Sequence, residues 1–195
     1  LSGVYFPVDQ MPGWLASAAN VLPLKHAIDI ARPLMLGRVP DGIVLHGFWT
    51  REYMDKVMMP AIDRGLEKGG RTRDDLAITG GGFLITGATA EELAKKRELI
   101  RYQVAFYGST PSYRPVWEAH DMGELGDRLH TLSIEKSADR WQRMTSLISD
   151  EVLDLFAVTA EPANVGTALL ERHGDYADRI SIPALVGDPD VWSKT

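Results

Sequence analysis

The chain has 195 residues, of which 45% are hydrophobic and 25% are charged, a composition typical of a folded globular protein. Its 21 basic and 27 acidic residues give a net charge of −6, which argues against a general nucleic-acid-binding protein. Cysteine is absent from the sequence, so a disulfide framework, a thiolate nucleophile and cysteine-ligated zinc are excluded. We therefore expect a cytoplasmic protein.

Composition divides the chain into two segments. Residues 1–40 are rich in proline and small residues and carry few charges, whereas residues 41–195 are charge-rich and helically periodic. Short helices are predicted at 13–21 and 24–36. The uncharged run 11–24 is shorter than the roughly 20 apolar residues that a membrane-spanning helix needs, so we expect no membrane association.

Two apolar runs in the second segment predict buried strands. Residues 42–46 form a short, partly β-branched run, and residues 76–87 form a longer run that contains Gly80-Gly81-Gly82. The three glycines indicate either a bend in the strand or a backbone that approaches a phosphate closely. Because a helical pattern follows each run, we expect two parallel strands joined by a right-handed crossover.

Threonines mark the starts of two helices. Thr50 is placed to cap a helix that Pro60 kinks and that ends near residue 69. Thr89-Ala90-Glu91-Glu92 predicts a capping box at the start of a helix that ends at Gly108. Further along the chain, helices are predicted at 115–120, 125–135, 138–146, 150–156 and 161–173, and a short strand at 178–182. His173 is expected on the surface at a helix end.

Several strings of the second segment carry a family resemblance. In chain order they are Asp41-Gly42-Ile43-Val44-Leu45-His46, Tyr53 with Met59-Pro60-Ala61-Ile62, Gly70-Arg71-Thr72-Arg73-Asp74-Asp75, Ala105-Phe106-Tyr107-Gly108-Ser109-Thr110-Pro111-Ser112-Tyr113-Arg114, Ile148-Ser149-Asp150-Glu151-Val152-Leu153, and Asp178-Arg179-Ile180-Ser181. The string that begins at Phe106 is the most specific. On these motifs, residues 41–195 resemble the C-terminal part of luciferase-like oxidoreductases and monooxygenases.

The resemblance implies an α/β fold, namely part of a (β/α)8 barrel. The segment is similar to the last two βα units with additional C-terminal helices, preceded by an irregular N-terminal extension. It also implies FMN or a deazaflavin as coenzyme and a small-molecule substrate. Because two strands cannot close a barrel, we expect the chain to be incomplete as a catalyst by itself.

Residues 1–40 carry a different resemblance. The strings are 2–15, Leu22-Pro23-Leu24-Lys25-His26-Ala27 and Ala31-Arg32-Pro33-Leu34-Met35-Leu36-Gly37. They are similar to the late region of type-2 permease subunits of ATP-binding-cassette exporters. The sequence therefore predicts two regions, 1–40 and 41–195, and leaves open that the chain is the remnant of an exporter permease.

Five residues are candidates for coenzyme or substrate binding. His46 and Gly47 follow the first predicted strand, and the carboxyl ends of parallel strands carry ligand sites in α/β folds. Tyr107, Tyr113 and Arg114 belong to the most specific family string, where the guanidinium is suited to an anion and the tyrosines to stacking or hydrogen bonding. Alternatively, His46 is a structural histidine, and Gly108 to Pro111 are a helix stop and restart.

Other polar residues predict less chemistry. Glu118, His120 and Asp121 are spaced so that they do not converge on one helix face, and we expect no metal site. A different class of function also stays open, that of a non-catalytic α/β domain that self-associates. In both cases we expect a homo-oligomer, because an incomplete barrel exposes strand edges and apolar surface.

Overall fold

The computed structural model describes residues 42–181. The helices predicted at 13–21 and 24–36, the boundary at residue 40 and the end of the last predicted strand lie outside the described residues. Within 42–181 the protein is helix-rich, with short strands in two small parallel sheets. This architecture confirms the predicted mixed α/β class. No helix in this part of the chain combines the length and apolarity that crossing a bilayer requires.

The described strands are β1 (Gly42–Val44), β2 (Ala77–Gly80), β3 (Phe83–Ile85), β4 (Ala157–Thr159) and β5 (Arg179–Ile180). One sheet has the order β1-β2-β5, and the other pairs β3 with β4. β1 and β2 are parallel neighbours with Gly42 opposite Ala77, as the sequence predicts for its two apolar runs. β3 is parallel to β4, with Phe83 opposite Ala157.

The run 76–87 is two strands, so the prediction of a single strand was wrong. Gly81 has a φ of 146°, and a Cβ atom there would overlap the carbonyl oxygen of Ser181. The Ser181 amide in turn donates a 2.8 Å hydrogen bond to the carbonyl oxygen of Gly80. The glycines therefore mark a bend, which directs the chain from the first sheet into the second.

The helices are α1 (51–68), α2 (Ala90–Gly108), α3 (Arg114–Glu118), α4 (Gly123–Ile134), α5 (Arg140–Ser146), α6 (Asp150–Phe156) and α7 (Val165–His173). Within α1, five π-helical residues, Met54–Met58, separate Arg51–Tyr53 from Met59–Lys68. Single 3-10 turns occupy Arg73–Asp75, Pro111–Tyr113 and Pro162–Asn164. The irregularity predicted at Pro60 is thus a π-helical turn that ends two residues before it. Pro60 lies in the first turn of the α-helical part that follows, where a residue without an N–H is tolerated.

Side-chain caps begin both helices at which the sequence predicts them. The Thr50 hydroxyl accepts a 3.2 Å hydrogen bond from the Tyr53 amide. The Thr89 hydroxyl accepts one of 3.2 Å from the Glu92 amide, but the Glu92 carboxylate accepts from the Ala88 amide instead of the Thr89 amide. The predicted capping box is therefore only half formed.

Two hydrophobic cores share the loop between β1 and α1. The main core is centred on Phe48, Trp117 and Phe156, and the second core contains Trp49 with Tyr176. Phe48 and Trp49 are consecutive residues. The Phe48 side chain is buried in the main core and the Trp49 side chain in the second core. His173 lies against Trp49, with ring centroids 5.3 Å apart, and is 2% exposed. The expectation that His173 is on the surface was wrong, because its helix turns that face inward.

Candidate functional site

The loop that follows β1 is held in a defined shape by the backbone. The Leu45 amide donates a 2.9 Å hydrogen bond to the carbonyl oxygen of Thr79, which extends the pairing of β1 with β2. Three residues later, the Phe48 amide donates a 3.1 Å bond to Nδ1 of His46. Since Nδ1 accepts this bond, the neutral imidazole carries its proton on Nε2. The His46 ring is therefore oriented by its own loop.

Two tyrosines from α2 and the following turn surround His46. The Tyr113 ring stacks on the imidazole with centroids 5.3 Å apart and planes at 21°, and its hydroxyl lies 3.2 Å from Nδ1. The Tyr107 ring meets the imidazole edge-on, with centroids 5.0 Å apart. The structure thus brings together three of the predicted site residues from parts of the chain more than 60 residues apart.

Two phenylalanines complete what we call the aromatic cluster, namely His46, Phe48, Phe83, Tyr107 and Tyr113. Phe48 lies 5.0 Å from Tyr113 and Phe83 lies 6.1 Å from Tyr107, measured between ring centroids. Both phenylalanines are buried, whereas the histidine and the tyrosines are half-buried. No local sequence signal points to Phe83, because its place in the cluster depends on the bend at Gly81.

The Tyr113 hydroxyl of the aromatic cluster belongs to a neutral group. Burial raises the pKa of Tyr113, and the neighbouring Tyr107 raises it further. Both effects disfavour a phenolate, so at neutral pH the Tyr113 hydroxyl is a hydrogen-bond donor as well as an acceptor. The cluster therefore offers apolar ring faces together with a fixed phenol and imidazole.

Gly47 places bare backbone beside the aromatic cluster. Among residues 42–181, the one atom within 4 Å of a Cβ on Gly47 would be the Gly82 Cα, at 3.8 Å. The loop after β1 therefore runs next to the glycine link between β2 and β3, with space for a closely approaching group. The ligand-binding role of Gly47 stays a prediction.

Arg114 makes its contacts away from the cluster. Its Nε donates a 2.8 Å hydrogen bond to Glu118, and its guanidinium also forms an ion pair with Asp127 of α4. Both carboxylates neutralise the charge that was expected to bind an anion. An incoming anion would have to displace them, so in this conformation Arg114 joins α3 to α4.

His120 is part of a polar network that the sequence did not predict. Its Nε2 lies 2.6 Å from the Thr50 hydroxyl and its Nδ1 lies 3.0 Å from the Glu52 carboxylate. Because the Thr50 oxygen already accepts the Tyr53 amide, the simplest arrangement has the hydroxyl donating to Nε2 and Nδ1–H donating to Glu52. No sequence signal links residues 50 and 120, which are 70 positions apart.

A cleft of about 450 Å³ opens beside this network. Several of the charged side chains that line it are paired with other groups of the protein. Lys56 pairs with Glu52, and the guanidinium of Arg172 donates to the carbonyl oxygens of Asp154 and Leu155 at the end of α6. Glu118 pairs with Arg114, so it does not converge with His120. Residues 42–181 hold no group of three or more acidic or histidine side chains placed to bind a metal ion.

Known proteins resemble the chain in two separate regions. Residues 34–179 match the model of a family described as luciferase-like monooxygenase. Uncharacterised proteins of Mycobacterium tuberculosis and Mycobacterium bovis are each 38% identical over 154 residues, which is 79% of this chain and 44% of theirs. The chain thus spans less than half the length of these relatives. Nodulation protein J of Rhizobium leguminosarum bv. trifolii is 60% identical over 46 residues, 24% of this chain and 18% of that protein.

A solved structure has a similar fold. It is the coenzyme F420-dependent tetrahydromethanopterin reductase from Methanopyrus kandleri, with a TM-score of 0.58 and 16% sequence identity. The likeness covers 82% of this chain and 44% of the reductase. At this level of identity the match establishes the fold and leaves the ligand to be argued from the site.

Proposed function

Because the chain belongs to the luciferase-like monooxygenase family, we propose that it is the C-terminal portion of a flavin- or deazaflavin-dependent oxidoreductase. In this proposal it supplies part of the wall of a coenzyme and substrate site and does not complete a catalyst by itself. The substrate is a small molecule. The observation that carries the proposal is the aromatic cluster at the carboxyl end of β1, where Tyr113 stacks on His46.

The residues present fit one side of a flat heteroaromatic ring. The half-buried faces of Tyr107 and Tyr113 offer stacking surface, and the Tyr113 hydroxyl offers a neutral hydrogen-bond donor. Gly47 leaves backbone accessible where a side chain would stand in the way. When bound, such a coenzyme supplies hydride or oxygen chemistry through its own ring system.

The chain's own groups contribute binding and orientation. The Phe48 amide fixes the His46 ring, and the Tyr113 hydroxyl lies 3.2–3.4 Å from its two nitrogens, so the imidazole holds the phenol in place beside the ring faces. The buried phenylalanines of the cluster exclude water from the inner side of the site. A deazaflavin is the first coenzyme to test, because the structurally similar reductase depends on coenzyme F420.

Binding of coenzymes to the purified full chain tests the proposal. We expect saturable changes in fluorescence on titration with oxidised and reduced coenzyme F420 or FMN. Tyr113→Phe and His46→Ala should weaken binding about 2–10-fold, the effect of losing a hydrogen bond worth roughly 0.5–1.5 kcal/mol. Arg114→Ala should weaken it only if the guanidinium leaves its carboxylates to bind an anionic group.

Tyr102→Phe is the matched control, because it removes the hydroxyl of an exposed tyrosine on α2 outside the cluster. It should bind as the unaltered chain does. A folded chain that binds neither coenzyme would overturn the proposal and favour the non-catalytic, self-associating domain. Binding that is insensitive to both cluster variants would place the coenzyme elsewhere.

A further inference from the structure

An exposed group of aromatic side chains lies across α2 and α5. Tyr102 and Phe106 of α2 are 40% and 45% exposed, and each ring lies 5.8 Å from the ring of Trp141 on α5. Leu99, one turn away on α2, is 48% exposed. We call these four residues the α2–α5 surface. Large apolar groups in mutual contact at a protein surface are typical of interaction sites.

A groove extends the α2–α5 surface along the two helices. It encloses about 620 Å³ and is lined by Glu98, Tyr102, Trp141, Thr145 and Ile148, among others. Arg101 donates from α2 to the carbonyl oxygen of Ile148, so residues near 100 on α2 face residues near 148, whereas residues near 104 face Trp141. The two helices are therefore antiparallel, and the surface has two different ends.

The two ends differ in charge. At one end the carboxylates of Glu98 and Asp150 are 66% and 64% exposed, although both pair with Arg101. At the other end Arg140 lies over the Trp141 ring, 5.2 Å from its centroid. Within 42–181, Arg140 has no carboxylate within ion-pair distance, its Nε is buried without a hydrogen-bond partner, and its NH1 donates only to the Glu135 carbonyl oxygen.

We propose that a second copy of this chain covers the α2–α5 surface, in a dimer whose two-fold axis passes near Tyr102 and Trp141. When this axis runs perpendicular to the two helices, the same patch meets itself in reverse, so the Glu98 end of one copy faces the Arg140 end of the other. The contact pairs Arg140, which has no carboxylate partner within residues 42–181, with the exposed carboxylate of Glu98. It also removes the aromatic rings from water, and aromatic side chains each bury about 150–250 Å².

The inference does not depend on the proposed coenzyme, because none of the four surface residues belongs to the aromatic cluster. It gives the expected homo-oligomer a particular interface. A free strand edge of an incomplete barrel is a different place for association, and variants of the α2–α5 surface distinguish the two.

Light scattering and sedimentation of the full chain between 1 and 100 μM test the interface. We expect a dimer, and Tyr102→Glu or Phe106→Glu should raise its dissociation constant at least tenfold. Leu170→Glu is the control, since Leu170 is an even more exposed apolar residue, 63%, on a different helix, α7. Circular dichroism of each variant verifies that it is folded.

A charge exchange tests the orientation of the two copies. Glu98→Lys and Arg140→Glu should each weaken the dimer, and the double variant should restore it to within about threefold of the original. A monomer at 100 μM would overturn the proposal. So would a dimer that Tyr102→Glu leaves intact, because association would then use another surface. Two single effects without restoration would overturn the reversed pairing.

Discussion

The indole Nε1 of Trp117 donates a 3.0 Å hydrogen bond to the carbonyl oxygen of Gly108, the residue at which α2 ends. The same ring lies against Gly126 of α4, where a Cβ atom would come within 2.7 Å of Cδ1. Trp117 is fully buried, and its indole packs directly against Gly108 and Gly126, which lie on different helices. This contact fixes the turn that carries Tyr113 into the aromatic cluster.

Filling either glycine should therefore destabilise the protein. We expect Gly126→Ala and Gly108→Ala each to lower the free energy of unfolding by about 1–3 kcal/mol, because the indole has to move. Urea unfolding followed by tryptophan fluorescence measures this. Gly166→Ala in α7 is the control, since a Cβ there would meet no atom of the described part of the chain within 4 Å and helix propensity favours alanine. Equal effects at 126 and 166 would contradict the packing argument.

The bend between β2 and β3 should tolerate a side chain at Gly82 but not at Gly81. Gly81→Ala should cost about 2–4 kcal/mol, because it combines a positive φ with overlap of the Ser181 carbonyl. At Gly82 the nearest atoms to a new Cβ are 3.7 Å away, so Gly82→Ala should change stability by less than about 1 kcal/mol. Denaturant titration of the two variants side by side gives the comparison.

The hydroxyl of Thr50 serves both the α1 cap and His120. Thr50→Ala should lower the free energy of unfolding by about 1–3 kcal/mol, because the Tyr53 amide and the His120 imidazole both lose a partner at a buried position. Thr50→Ser keeps the oxygen and should recover most of that loss. If alanine and serine are equally destabilising in thermal melts, packing of the methyl group and not the hydroxyl is responsible.

His173 should make stability depend on pH. Burial lowers its pKa to about 4, with the charges of Arg172 and Arg51 acting in the same direction. Because the unfolded side chain titrates near 6.5, the unfolded chain binds more protons between these values. This contribution is complete above pH 6.5 and is lost as the pH falls towards 4, by about 1–3 kcal/mol.

The measurement is the free energy of unfolding at pH 7, 6, 5 and 4 for the original chain and for His173→Phe. The variant should show a shallower loss on acidification, whatever its stability at pH 7. Parallel curves would show that His173 is not the group responsible.

Local signals were enough to predict most helices. The bounds of α2 follow from Thr89 and Gly108, because caps are read within four residues of the chain. The separation of β2 from β3 could not be predicted, since it depends on Ser181, 100 positions away. The sequence also gave no prediction of β4, whose three residues follow α6 without an intervening turn.

The candidate site was predicted as separate residues and not as an arrangement. His46, Tyr107 and Tyr113 were chosen for chemistry and family motif, and the structure adds that their rings are in contact. Arg114 shows the limit of such reasoning, because its partner Asp127 lies on a helix whose packing depends on Trp117 and Gly126. Which charges compensate each other is decided by tertiary contacts.

The consecutive anchors Phe48 and Trp49 make the loop after β1 a mechanical coupling between the two cores. A change in the packing of either core should shift the peptide bond between Phe48 and Trp49. His46 precedes Phe48 by only two residues. We therefore expect the orientation of the imidazole to depend on both of these cores, and grafting the loop onto another scaffold would require both anchoring cavities to be transplanted with it.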